Sequence, residues 1–150
     1  MPTPVEERIL VLQAGQIVLA DWRGDALPKE PNKRRPAVVV EDDGLFSAAY
    51  PNAILVPLTD DPALAIPDLA VAIEPTSENG RSKPCWAASH LVATTSKRRL
   101  QATSSRITQE QLGTIRRQIA LAVGVEACRR KVEMSLGRQS RDDTAADAVA

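Results

Sequence analysis

Between Gly15 and Ser104 the apolar residues of this chain fall into short β-branched and aliphatic runs, each cut off by proline, glycine, asparagine or aspartate, and helical spacing sets in only at Thr108. Such punctuation builds short, consecutive antiparallel strands followed by one terminal helix. The clearest run is Lys33-Arg34-Arg35-Pro36-Ala37-Val38-Val39-Val40, a basic cluster set against a proline and then a buried strand. Proline cannot donate to a sheet ladder and biases the residue before it towards an extended conformation, so Arg35 should sit at the mouth of the strand. A cation there is well placed to handle phosphate.

Gly15 opens the first strand, Gln16 to Trp22, and the polar stretch Arg23 to Arg34, with two prolines, follows as a long loop of the kind that carries function. Ala37 to Glu41 and Ala53 to Leu58 are the second and third strands, separated by Asp42-Asp43-Gly44 and Tyr50-Pro51-Asn52. Asp68 to Glu74 is a weaker fourth, Pro75 to Lys83 a polar loop, Cys85 to Thr95 a fifth strand and Arg99 to Ser104 a short sixth. Thr108 and Gln111 form a capping box, after which Leu112, Ile115, Ile119, Ala122 and Val123 recur at helical spacing. Gly124 can cap that helix, yet Glu126 to Leu136 is also helix-compatible, so the helix continues or restarts. A second capping pattern, Thr3-Pro4-Val5-Glu6, predicts a short helix from Pro4 towards Leu12, and the composition beyond Gly137 predicts a disordered tail. The expected architecture is mainly β with α (α+β): a small β-barrel or strongly curved sheet with a C-terminal amphipathic helix as its lid.

Composition narrows the functions such a fold can carry. A chain of 150 residues holds one domain. Hydrophobic residues make up 43% but aromatics only 3%, so the core is built from Val, Ile, Leu and Ala, and the composition argues against an aromatic platform that stacks many bases. With 19 basic and 19 acidic residues the formal net charge is zero, so any nucleic-acid site must be a local patch. Cys85 and Cys128 match no metal-ligand spacing and there is one histidine, which points to a protein without a metal or other cofactor. The apolar run Ile9-Leu10-Val11-Leu12 is too short for a signal peptide or membrane span, so a cytoplasmic location with reduced thiols is expected.

Taken in order, Gly15-Gln16-Ile17-Val18, Arg35-Pro36-Ala37-Val38-Val39, Val56-Pro57-Leu58-Thr59 and the strand before the final helix resemble the MazF/PemK family of type II toxin–antitoxin endoribonucleases, over roughly residues 15–124. Residues 1–14 and 125–150 are then an N-terminal and a C-terminal extension. The resemblance implies an SH3-like barrel of the CcdB/PemK kind, a homodimer that cleaves single-stranded RNA without a metal, and a cognate antitoxin that neutralises it. It also implies that Arg35 and Thr59 form the scissile-phosphate site.

The chemistry supports those roles independently. Metal-free RNA cleavage needs a base for the 2′-hydroxyl proton, donors for the charge developing on phosphorus, and an acid for the departing 5′-oxygen; the products are a 2′,3′-cyclic phosphate and a 5′-hydroxyl. A guanidinium is planar, permanently charged and able to hold two phosphate oxygens, so Arg35 fits the second role, and Thr59 adds a neutral donor. Some PemK-type members carry an acidic proton-transfer residue in the strand before the helix, where this chain has Ser89. Serine cannot replace a carboxylate base. His90 beside it carries an imidazole, the side chain type suited to acid or base work near neutral pH, but neighbours on a strand face opposite ways, so it reaches the site only through a bulge or a strand end. Asp60 and Asp61 put carboxylates directly after Thr59, although turn residues before Pro62 are the plainer reading. Trp22, Lys33, Arg34, Lys97 and Arg98 are the candidate RNA contacts, against the simpler alternatives of packing for Trp22 and solvated charge for the others. The alternative function is a non-catalytic interaction protein on the same barrel, such as a CcdB-like gyrase poison; a DNA-binding regulator is weaker, because no recognition-helix pair is visible.

Overall fold

The computed structural model describes residues 10–22 and 34–125. The expected helix from Pro4 and the segment beyond Val125 lie largely outside them, and Leu10 to Gln13 are not helical. Among the described residues seven strands form one antiparallel sheet: β1 (Gln16–Ala20), β2 (Arg35–Val39), β3 (Asn52–Thr59), β4 (Ala70–Ile73), β5 (Cys85–Ala88), β6 (Ala93–Ser96) and β7 (Leu100–Arg106). Their spatial order is β4-β5-β3-β2-β1-β7, with β6 also pairing β3, and the helix α1 (Gln109–Ala122) follows β7. The fold is α+β. Among the described residues β4 and β7 do not pair as strands, so the ladder stays open. A backbone bond from Arg106 N–H to Glu78 O, at 2.8 Å, brings the loop after β4 against β7.

Alternation along the strands sends apolar residues to both faces. Ile17, Val38, Val56, Leu58, Ile73 and Ala87 build one core with Leu112 and Ile115 of α1. Val18, Ala20, Ala37, Val39, Ala53 and Leu55 build a second on the other face. The helix starts as its sequence dictates: Thr108 Oγ1 accepts from Gln111 N–H and Gln111 Oε1 accepts from Thr108 N–H, both at 3.0 Å. It ends at Gly124, whose φ of 84° suits glycine, with Gly124 N–H donating to Leu121 O and Val125 N–H to Ala120 O. Arg116 ties α1 to the end of β2, donating through Nε to Val40 O at 3.0 Å and through Nη2 to Glu41 O at 2.8 Å. No helix among the described residues is long and apolar enough to cross a membrane.

Two elements differ from the sequence expectation. The single strand from Cys85 to Thr95 is two strands, β5 and β6, separated by a 3-10 turn at Ser89–Leu91. Both pair β3, and the three-residue step from Leu58 to Leu55 is matched by the six-residue step from Ala87 to Ala93, so the turn absorbs the excess. Tertiary bonds fix it there: Ser89 N–H donates to Leu69 O at 2.9 Å, and the fully buried Ser89 hydroxyl donates to Gln118 Oε1 of α1 at 2.7 Å. The second strand begins at Arg35 rather than Ala37, because β1 keeps pairing past the proline, Leu19 with Pro36 and Ala20 with Arg35.

Candidate functional site

The β2–β3 ladder runs from Val39↔Leu55 to Ala37↔Pro57 and no further. Pro36 has no N–H with which to extend it, and the strands part there. Continuing the register by two residues places Arg35 opposite Thr59, so the two residues share one face of the sheet. The opening between them is the mouth of a cleft of about 200 Å³. Arg35, Pro36, Leu58, Thr59 and Asp60 form one wall, and the loop running into β5 at Cys85 forms the other.

Thr59 is nearly buried, and its Oγ1 accepts from Asp61 N–H at 3.1 Å. That bond occupies an acceptor site and leaves the hydroxyl hydrogen to be donated into the cleft. Asp61 is a capping residue, its Oδ1 accepting from Ala63 N–H at 2.9 Å at the head of the 3-10 turn Pro62–Leu64. Asp60 is different: exposed, directly after β3, it lines the cleft. Burial pushes the Cys85 thiol up from its ordinary range, Arg81 opposes that shift, and Asp60 and Glu74 add to it, so the charges of both Asp60 and Arg81 are felt at the back of the cleft.

The opposite wall carries Arg81 and Lys83, which sequence reasoning left inside a polar loop. A signal was present. Arg81-Ser82-Lys83-Pro84 before β5 repeats the pattern of Lys33-Arg34-Arg35-Pro36 before β2, basic residues leading through proline into a strand. Among the described residues, the cleft thus carries three cationic side chains and one carboxylate in a chain of zero net charge.

The other sequence candidates lie elsewhere. Ser89 and His90 sit in the 3-10 turn packed on α1, and neither lines the cleft; His90 Nδ1 is buried without a hydrogen-bond partner among the described residues. Trp22 packs on the second core and donates from Nε1 to Thr95 Oγ1 at 2.9 Å. Arg34 turns to β7, where its Nη1 donates to Gln101 Oε1. Lys97 and Arg98 occupy a 3-10 turn held by Lys97 N–H to Pro51 O at 2.8 Å, at the start of β3 and so at the opposite end of that strand from Thr59. Lys33 and Cys128 fall outside the described residues. Among the described residues no group of three His, Cys, Asp or Glu side chains could hold a metal ion.

The family model for the PemK-like, MazF-like toxin of type II toxin–antitoxin systems matches residues 13–123. Similar solved structures include an endoribonuclease in complex with its cognate antitoxin from a mycobacterial species, with a TM-score of 0.57, 16% identity, and coverage of 77% of this chain and 97% of that one. MazF from Deinococcus radiodurans has a TM-score of 0.56, 20% identity, and coverage of 77% and 99% respectively. The Mycobacterium tuberculosis toxin MazF-mt6 has a TM-score of 0.52, 15% identity, and coverage of 72% and 95%. At these identities the structural likeness speaks for the fold. No curated protein sequence matches the chain significantly.

Proposed function

We propose that this chain, which belongs to the PemK-like, MazF-like toxin family of type II toxin–antitoxin systems, is a metal-independent endoribonuclease that cleaves single-stranded RNA in the Arg35–Thr59 cleft. The observation that carries this reading is that Arg35 and Thr59 line one cleft just beyond Ala37↔Pro57, where the β2–β3 ladder stops.

A phosphodiester entering that cleft meets a guanidinium able to grip two oxygens and a hydroxyl with its hydrogen available. Both donors are fixed before the reaction and act where negative charge develops on the phosphoryl oxygens. Asp60 is the carboxylate of the same cleft, and it takes the 2′-hydroxyl proton as O2′ attacks phosphorus. The P–O5′ bond breaks as the new bond forms. The departing oxygen takes a proton from Lys83, because an ammonium releases one more readily than a guanidinium. The RNA then carries a 2′,3′-cyclic phosphate on one fragment and a 5′-hydroxyl on the other.

The mycobacterial relative is an endoribonuclease in complex with its cognate antitoxin. By that likeness this chain has an antitoxin of its own; an acidic or hydrophobic segment of it competes with RNA for the cleft, and the family resemblance adds that the chain works as a homodimer. Incubating the purified protein with a long single-stranded RNA in excess chelator, and mapping the ends formed, tests the activity. Fragments ending in 2′,3′-cyclic phosphate are expected; RNA left intact overturns the reading.

A further inference from the structure

The two basic segments that reach the cleft arrive in the same way. Arg35 leads through Pro36 into β2, Lys83 leads through Pro84 into β5, and β3 leaves the sheet between them at Thr59. The starts of β2 and β5 are two strand spacings apart, about 10 Å.

Arg81 is held to its own side of that span. Asn79, 2% exposed, knots the loop: its Oδ1 accepts from Thr76 N–H and Arg81 N–H, each at 3.0 Å, and its Nδ2 donates to Glu74 O at 2.7 Å. The Arg81 side chain is turned back on the same knot, Nε donating to Asn79 O at 3.3 Å. Gly80 makes the turn tight, with a φ of 64° and a site where a Cβ would stand 2.7 Å from Ser105 Oγ. A guanidinium anchored through Nε keeps its two terminal nitrogens for a ligand and is biased to its own side of the cleft.

We propose that Arg81 forms a second phosphate subsite, which holds the phosphodiester next to the scissile one while Arg35 and Thr59 hold the scissile group and Lys83 faces its leaving oxygen. Asn79 is its positioning residue. The proposal rests on the cleft being an RNA site, and it adds that the ligand is a strand with at least two consecutive phosphates. Arg35 and Arg81 then each take a phosphate of their own, and the cleft sets the path of the backbone as well as the point of cleavage.

The probe is a random-sequence single-stranded oligonucleotide with every 2′-hydroxyl methylated, which binds and cannot be cut. Its affinity is measured over a range of salt for the wild type, Arg81→Ala and Arg81→Lys, with unmodified RNA cleavage followed in parallel. A phosphate contact to a single strand contributes about 0.7 to the slope of log affinity against log salt. Arg81→Ala is expected to lower that slope by about 0.7 and to weaken binding on the order of tenfold at low salt, raising KM more than it lowers kcat. Arg81→Lys keeps the charge but loses the anchor, so its slope should be retained and its affinity should fall between the two. Equal slope and affinity in Arg81→Ala and the wild type, with both folded by circular dichroism, overturn the subsite. A wild type that binds the probe with this Arg81-dependent slope yet leaves unmodified RNA intact supports the subsite and overturns the nuclease reading instead.

Discussion

Replacing Asn79 by alanine tests whether the loop facing Arg35 is a fixed wall. The substitution removes three hydrogen bonds, to Thr76 N–H, Arg81 N–H and Glu74 O, from a side chain that is 2% exposed. Each is worth about 1 kcal/mol net. The full penalty for stranding a buried polar group does not apply, because Glu74, Thr76 and Arg81 all have some access to water that can replace the lost partner. The expected loss is therefore about 3 kcal/mol, a fall in Tm of roughly 10 °C for a chain of this size. Urea and thermal denaturation followed by circular dichroism measure it. A loss below about 1 kcal/mol would refute the reasoning, since the loop would then hold its shape without the knot.

Removing the capping hydroxyl with Thr108→Ala should cost about 1 kcal/mol in the same denaturation assay, because the capping box loses its bond to Gln111 N–H. Ser89→Ala breaks the bond to Gln118 and should also cost about 1 kcal/mol, yet RNA cleavage should stay within about twofold of wild type, because Ser89 lies outside the cleft. For Cys85, burial raises the folded thiol's pKa, so the unfolded chain ionises first and stability is whole below the ordinary thiol range, about 8.5, and falls as pH rises through it. Denaturation midpoints at pH 7 and pH 10 should show this loss in the wild type and a smaller one in Cys85→Ala.

Much of the fold was legible because local chemistry decided it. The capping box at Thr108 and Gln111, the glycine stop at Gly124 and the apolar runs of β1 to β4 all depend on neighbours in sequence, and each appears within a residue or two of its expected place. The break between β5 and β6 was not legible. Ala87 to Val92 contains no Gly or Pro, and the turn is set by Leu69 and Gln118, partners 20 and 29 positions from Ser89. Pro36 misled in the opposite direction. It does end a ladder, but the one to β3, while pairing to β1 continues to Arg35. In the site, Arg35 and Thr59 could be named from their motifs, whereas Arg81 and Lys83 reach the cleft only through a loop folded about a buried asparagine. The basic-before-proline pattern they share with Arg35 was the signal available.

The claim that Arg35 stabilises charge on the scissile phosphate is tested most directly by single-turnover cleavage of a long single-stranded RNA in excess chelator, comparing the wild type with Arg35→Ala. Loss of one preorganised donor to a developing charge costs about 10²–10³ in rate. A fall of that size, with thermal stability unchanged, is predicted. Cleavage by Arg35→Ala within about threefold of wild type would contradict it.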